Sequence, residues 1–106
     1  MTLCQQCEQL LDELEQVLES YELLQSTPPS PKRLASTEPF AVDTLACHEW
    51  LQWIFLPRMR QLVLSGQSLP SNVEMAPYVE EAMKDQYGAA AVVNVIYRID
   101  ALFAQS

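Results

Sequence analysis

The stretch His48-Glu49-Trp50-Leu51-Gln52-Trp53-Ile54-Phe55-Leu56-Pro57-Arg58-Met59 holds both tryptophans of the chain and constrains it more than any other segment. Wound at helical pitch, Leu51, Phe55, Met59 and Leu62 fall on one side, while Trp50, Trp53, Pro57 and Leu64 fall on nearly the opposite side. A helix with two apolar faces has to be covered twice. In a chain of 106 residues, which supports one domain and one core, this means a helix sandwiched inside a small bundle, or one whose second face is left for a partner.

Charge narrows the choice of partner. Fourteen acidic residues against six basic ones give a formal net charge of -8, and residues 1–31 carry six acids without a single Lys or Arg. A surface that follows a phosphate backbone needs clustered cations that release condensed counterions. Only Lys32-Arg33 and Arg58 with Arg60 lie near one another in sequence, so direct nucleic-acid binding is not expected, whereas a basic protein partner is compatible with the balance. The plain alternative is that the acids are solvated helix faces. No basic residue precedes Lys32, and no apolar run approaches the ~18 residues of a transmembrane span, so a cytoplasmic protein with no membrane association is expected.

The three cysteines are an odd number in a chain read as cytoplasmic, which argues for reduced thiols. Cys4 and Cys7 form a C-x-x-C, but a zinc site completed by Cys47 and His48 would require helical neighbours that diverge by about 100° to face one ion. All three are therefore read as core or near-core residues, with no metal and no cofactor expected.

The periodicity predicts an all-α, single-domain bundle of about four helices spanning 1–106, with a long Pro-rich crossover over 26–43. The first helix, from about Thr2 to Gln25, carries Cys4, Cys7, Leu11, Leu14, Leu18 and Tyr21 at three-four spacing and a polar back, the pattern of a rod docked on one side. A free coiled-coil dimer is the competing reading of the same stripe. Pro28, Pro29, Pro31 and Pro39 forbid a regular helix over the crossover, which reads as an extended strap that Leu34 and Phe40 pin to the bundle. The second helix is predicted from near Thr44, capped by Asp43 or Thr44, to Ser65 before Gly66. Pro57 lies inside it and should bend or briefly break it, because the amide that would reach the Trp53 carbonyl is missing. The third helix is placed from Pro77 to before Gly88, or from near Asn72 if Ser71-x-x-Glu74 acts as a capping box. The last runs from about Ala89 to Ala104, with Val92, Val95, Ile96, Ile99, Leu102 and Phe103 inward and Asn94, Tyr97, Arg98 and Gln105 outward.

Reactive constellations are absent from the pattern. His48-Glu49 lacks the second histidine of a zinc protease, and two glycines provide neither a phosphate loop nor a nucleophile elbow. Cys47 and His48, as helical neighbours, do not face each other as nucleophile and base must. Glu80-Glu81 and Asp12-Glu13 read as exposed helix carboxylates. The chain is expected not to be an enzyme.

Pro39-Phe40, Asp43-Thr44, Glu49-Trp50-Leu51-Gln52-Trp53, Pro57-Arg58-Met59, Leu69-Pro70, Ala76-Pro77-Tyr78 and Asp100-Ala101-Leu102-Phe103, in that order, resemble the YqcC-like family of small bacterial proteins over about residues 36–104. The tryptophan motif with its Pro-Arg-Met is the specific part; the first helix matches only in character, and the cysteines lie outside the resemblance. The resemblance implies an all-α bundle without an established biochemical activity. It also implies an association with tRNA pseudouridine synthase C, beside whose gene such proteins are often encoded and to which the domain is sometimes fused. No catalytic residue carries over.

Two functional readings follow. In the first, the chain is an interaction or accessory module for a tRNA pseudouridine synthase or another basic protein, with Trp50, Trp53, Pro57, Arg58 and Tyr78 as the contact surface, since aromatic and arginine anchors concentrate interface energy. In the second, a pocket at the Pro57 break holds a small molecule or anion against Arg58. Homodimerisation through the second apolar stripe is a third arrangement. For the tryptophans, ordinary core packing is the reading against which these are weighed.

Overall fold

The computed structural model describes residues 2–71 and 73–105. Four packed rods make an all-α bundle, and no strand occurs among the described residues. Helix α1 spans Leu3–Ser20. After the strap, which holds one helical turn, α2 (Pro31–Leu34), comes a single long rod built from α3 (Cys47–Trp50), a π-helical turn (Leu51–Phe55) and α4 (Leu56–Ser65). Helices α5 (Ala76–Ala82) and α6 (Ala89–Phe103) complete it. Helix α1 packs on α6 and α4, and α5 packs on α6. The core gathers Leu11, Leu14 and Leu18 of α1, Leu51, Leu56 and Met59 of the long rod, Met75 and Val79 at α5, and Val92, Ile96, Ile99 and Phe103 of α6.

Helix α1 starts where expected, with a reciprocal capping box between Thr2 and Gln5. It stops five residues before the predicted Gln25. The Leu23 amide donates to the Leu18 carbonyl at 2.8 Å and the Glu22 amide to Glu19 at 3.1 Å, with Glu22 left-handed at φ 58°. This is a Schellman turn, and its cause is Leu23. Continued as helix, Leu23 would lie about 140° round from Leu18 on the polar back; turned, it is buried.

The strap differs from a purely extended chain. Ser30 caps Pro31–Leu34 through the Arg33 amide, so Pro31 occupies the first helical position, where its missing N–H costs nothing. Phe40 packs on the core as expected, Leu34 is half-buried, and Pro29 is buried.

The long rod begins three residues later than predicted. Asp43 and Thr44 do not cap it; Ala46 stands at the cap position, where the Glu49 carboxylate accepts its amide at 2.8 Å. Pro57 does not break the rod. The turn before it widens to π pitch, with the Leu56 amide reaching five residues back to Leu51, which makes room for the proline ring next to the turn that would otherwise crowd it. Gly66, at φ 73°, closes α4 as foreseen.

Helix α5 starts at Ala76, so Pro77 is its second residue, and it ends at Ala82, well before Gly88. The Ser71-Glu74 capping box is not used, and Asn72 lies outside the described residues. Asp100 of α6 takes over: its Oδ2 accepts the amides of Met75 and Ala76, both at 2.8 Å. Gly88 is required twice, because its φ is 87° and a Cβ there would come within 2.4 Å of the Tyr21 ring.

Candidate functional site

Three of the five sequence-selected residues, Trp50, Tyr78 and Trp53, fall in two groups beside the long rod. Trp50 and Tyr78 come together, but through a third ring: Phe40 lies flat on Tyr78, with centroids 4.3 Å apart and planes at 11°, and meets Trp50 edge-on at 5.0 Å. Trp50 in turn stacks on the buried Phe55 at 5.5 Å. Trp50, Tyr78 and Phe40 are half-buried, so each has one edge on the core and one at the surface. The buried Cys47 thiol lies near the Tyr78 hydroxyl, and burial with that thiol beside it raises the Tyr78 phenol above its ordinary range. Burial pushes the Cys47 thiol up to about 12, so it stays protonated in that contact.

Phe40 is placed by two overlapping tight turns. The Ala41 amide donates to the Glu38 carbonyl at 2.9 Å and the Val42 amide to Pro39 at 3.3 Å. Phe40 at φ 57° and Ala41 at φ 50° are both left-handed. Pro39 at the leading corner suits the first turn, but the next two positions are those where such turns favour glycine. A left-handed residue with a Cβ costs ~1–2 kcal/mol, comparable to the ~0.5–1.5 kcal/mol that each aromatic contact of Phe40 contributes.

Trp53 joins a different group. Its indole N–H donates to Gln25 Oε1 at 2.9 Å. Gln25 also gives its amide N–H to Gln52 Oε1 and takes the Gln52 side-chain N–H on its carbonyl, both at 2.8 Å, so one side chain mimics the pairing of a strand. The Gln25 side-chain amide donates to Glu49 at 3.0 Å, and Glu49 accepts from Arg33 Nη2 at 2.7 Å. Arg33 Nε donates to the Thr44 carbonyl, and the Thr44 hydroxyl to the Arg33 carbonyl. This network ties the segment after α1, the helical turn of the strap and the residue that follows the strap to the rod. Glu49 is buried, which opposes its charging, but the Ala46 amide, Gln25 and Arg33 together hold its carboxyl below the usual glutamate range.

Pro57 and Arg58 are exposed and stand apart from both groups. The rod runs on through Pro57 without a break. A hollow of about 590 Å³ lies instead between α1 and α6, lined by residues such as Gln6, Gln9, Glu13 and Arg98, and neither Pro57 nor Arg58 borders it. Among the described residues, no group of three or more His, Cys, Asp or Glu is arranged to hold a metal ion. Nor is any helix there long and apolar enough to cross a membrane.

The comparisons with known proteins agree with this architecture. The family model described as tRNA pseudouridine synthase C matches residues 6–102. The chain belongs to the YqcC-like family. The uncharacterized protein YqcC of Escherichia coli is 38% identical over 95 residues, covering 89% of this chain and 87% of that one. An uncharacterized protein of Haemophilus influenzae is 44% identical over 80 residues, 76% of each chain. The solution NMR structure of Escherichia coli YqcC superposes with a TM-score of 0.86 at 36% identity, covering 98% of this chain and 90% of that one. A tRNA pseudouridine synthase C of Pectobacterium carotovorum is 45% identical over 65 residues, which are 61% of this chain but 17% of the synthase. The YqcC-like relatives that match most of the chain are uncharacterized by name, and the synthase itself is matched over only a small part of its length.

What the sequence reading missed at the site is Phe40 as the ring between Trp50 and Tyr78, and Gln25 and Glu49 as polar anchors. Pro39-Phe40 was visible as a motif, but nothing in the spacing pairs it with Tyr78, 38 residues on.

Proposed function

We propose that the chain is a cytoplasmic, non-catalytic interaction module that binds a tRNA pseudouridine synthase C, with the half-buried Trp50 and Tyr78 edges, Trp53, Pro57 and Arg58 as the contact surface. The observation that carries the reading is that 65 residues of the chain recur at 45% identity within a much longer chain bearing that synthase's name. Recurrence of the domain inside that longer chain supports a contact between the domain and the rest of such a synthase. Charge supports a basic protein over RNA as the direct partner. Arg33, Arg60, Lys84 and Arg98 are all engaged with carboxylates of this chain, which leaves Lys32 and Arg58 as the unpaired cations among the described residues.

The test is a pull-down of purified tRNA pseudouridine synthase C by the full chain at low and moderate salt. Binding should occur and weaken as salt screens an acidic module from a basic enzyme. An Arg58→Ala variant, which truncates an exposed residue of the contact surface without touching the core, should weaken capture. Absence of binding at low salt would refute the proposal.

A further inference from the structure

Helix α1 and the long rod lie side by side and run antiparallel. Arg60 meets Asp12 at 2.9 Å and Glu15 at 3.6 Å, and beyond the end of α1 Gln25 meets the Trp53 indole. Between the two rods runs a groove whose deepest part, a hollow of about 350 Å³, is lined by Glu8, Leu11, Arg60, Val63 and Leu64. Its banks differ in kind. On α1, Glu8, Asp12, Glu15 and Glu19 are all exposed and succeed one another at four, three and four residues, so they form one edge about 16 Å long. On the rod, Pro57 and Leu64 stand seven residues apart, nearly in line, and both are exposed, Leu64 at 89%. A single exposed leucine is ordinary. This one continues Pro57 and the half-buried Val63 into an apolar bank that faces the acidic one. One guanidinium serves the four carboxylates: Arg60 holds Asp12 and Glu15, and no cation of the described residues pairs with Glu8 or Glu19.

We infer that this groove docks an amphipathic helix of the partner protein, with its apolar stripe against Pro57 and Leu64 and Lys or Arg residues along the flank that meets α1. The inference rests on the interaction-module reading and names the element by which the partner makes contact. A third helix is the element that lies lengthwise between two packed rods and covers side chains of both. Four carboxylates against one guanidinium leave the α1 bank three charges negative, which selects cations on the facing flank. The other flank has the opposite requirement. Arg58 lies about 100° round the rod from Pro57, on the side away from α1, where it repels a cation. The occupant is therefore basic on one flank only, which separates it from a helix that adheres to any acidic surface. A second copy of this chain fits poorly, because each copy carries a net charge of -8 and the same acidic edge. Its pairing is an outcome of the test.

The probe is an alanine-based helical peptide of roughly 18 residues, the length of α1, with leucines along one face and lysines along one flank. Titrated at low salt into the isotope-labelled chain, it should give saturable NMR shifts gathered at the amides of Glu8, Asp12, Val63 and Leu64. The same peptide with glutamate for lysine, and the one with alanine for leucine, should each bind at least about tenfold more weakly. Leu64→Ser should weaken the lysine peptide about tenfold. Glu8→Gln combined with Glu19→Gln should do the same at low salt, with the difference vanishing at high salt. All three positions are exposed, so melts of these variants should match the unsubstituted chain. Shifts centred away from the groove, binding indifferent to Leu64→Ser, or equal binding of the lysine and glutamate peptides would overturn the inference. The synthase is read separately. If the unsubstituted chain fails to capture it, the choice of partner falls while the peptide still decides the groove; if it is captured, Leu64→Ser should weaken capture about tenfold, and unchanged capture would overturn the groove. Dimers in sedimentation that Leu64→Ser disperses would overturn the partner in favour of a second copy.

Discussion

Glu49 is the residue whose removal should expose most clearly how the strap, the end of α1 and the rod depend on one another. In Glu49→Ala three donors lose their acceptor: the Ala46 amide, the Gln25 side chain and Arg33. The Ala46 contact is a helix-end cap worth about 1 kcal/mol. The Gln25 bond to a charged acceptor adds about 1.5 kcal/mol. Arg33 is 44% exposed, so its share is discounted for screening to less than about 1 kcal/mol. The total, about 2–4 kcal/mol, corresponds to a fall in Tm of about 10–20 °C for a domain of this size. Glu49→Gln should cost about half as much, because its amide can still accept from Ala46 but must present N–H groups toward Gln25 or Arg33. The pH dependence gives an independent check. The carboxyl is held below its ordinary value of about 4.3 in the folded chain, so its contribution is complete above that value and is lost as pH falls through the lower folded value. The unsubstituted chain should therefore lose more stability than Glu49→Gln over this acid window. Urea unfolding followed by helical circular dichroism at several pH values measures both effects. A Glu49→Ala cost under about 1 kcal/mol, or parallel acid limbs in the chain and Glu49→Gln, would refute the reasoning.

Gly88→Ala should destabilise by more than about 2 kcal/mol, since it combines a left-handed φ with a Cβ driven into the Tyr21 ring, whereas Gly66→Ala, with open space around it, should cost only about 1 kcal/mol; thermal melts of the two variants make the comparison. Glu22→Gly should stabilise by about 0.5–1 kcal/mol by relieving the left-handed residue of the Schellman turn, and a lower Tm would show the turn to be wrongly described. Alkylation by iodoacetamide at pH 8, followed by mass spectrometry, should modify the half-buried Cys4 first. Cys7, pushed up to about 11 by burial together with Cys4 and Glu8, and Cys47, pushed up to about 12 by burial, should react only through unfolding. Equal rates at Cys4 and Cys47 would contradict the packing around Tyr78.

The rods were legible because their apolar residues recur at helical spacing: Leu11, Leu14 and Leu18, and Val92, Ile96, Ile99 and Phe103, were chosen by period and are all buried. The ends were less legible where a distant residue sets them. Nothing local announces that Asp100 caps α5 from another helix, or that Leu23 turns α1 back on itself. The candidate surface was legible only as a set of residue types. Trp50 and Trp53 are three residues apart, yet one enters an aromatic stack and the other a hydrogen-bond network, and the difference is made by Phe40 and Gln25, which arrive from the strap and from the end of α1.

The π-helical turn has a consequence for the whole aromatic group. A turn of that pitch holds one surplus residue, and everything N-terminal to it is rotated about 100° relative to a plain helix running back from α4. Deleting Ile54 would restore even winding but swing Trp50 away from Phe40 and Tyr78, and set the Pro57 ring against an ordinary turn. One residue too many, placed just upstream of a proline, acts as the angular offset that aims the indole.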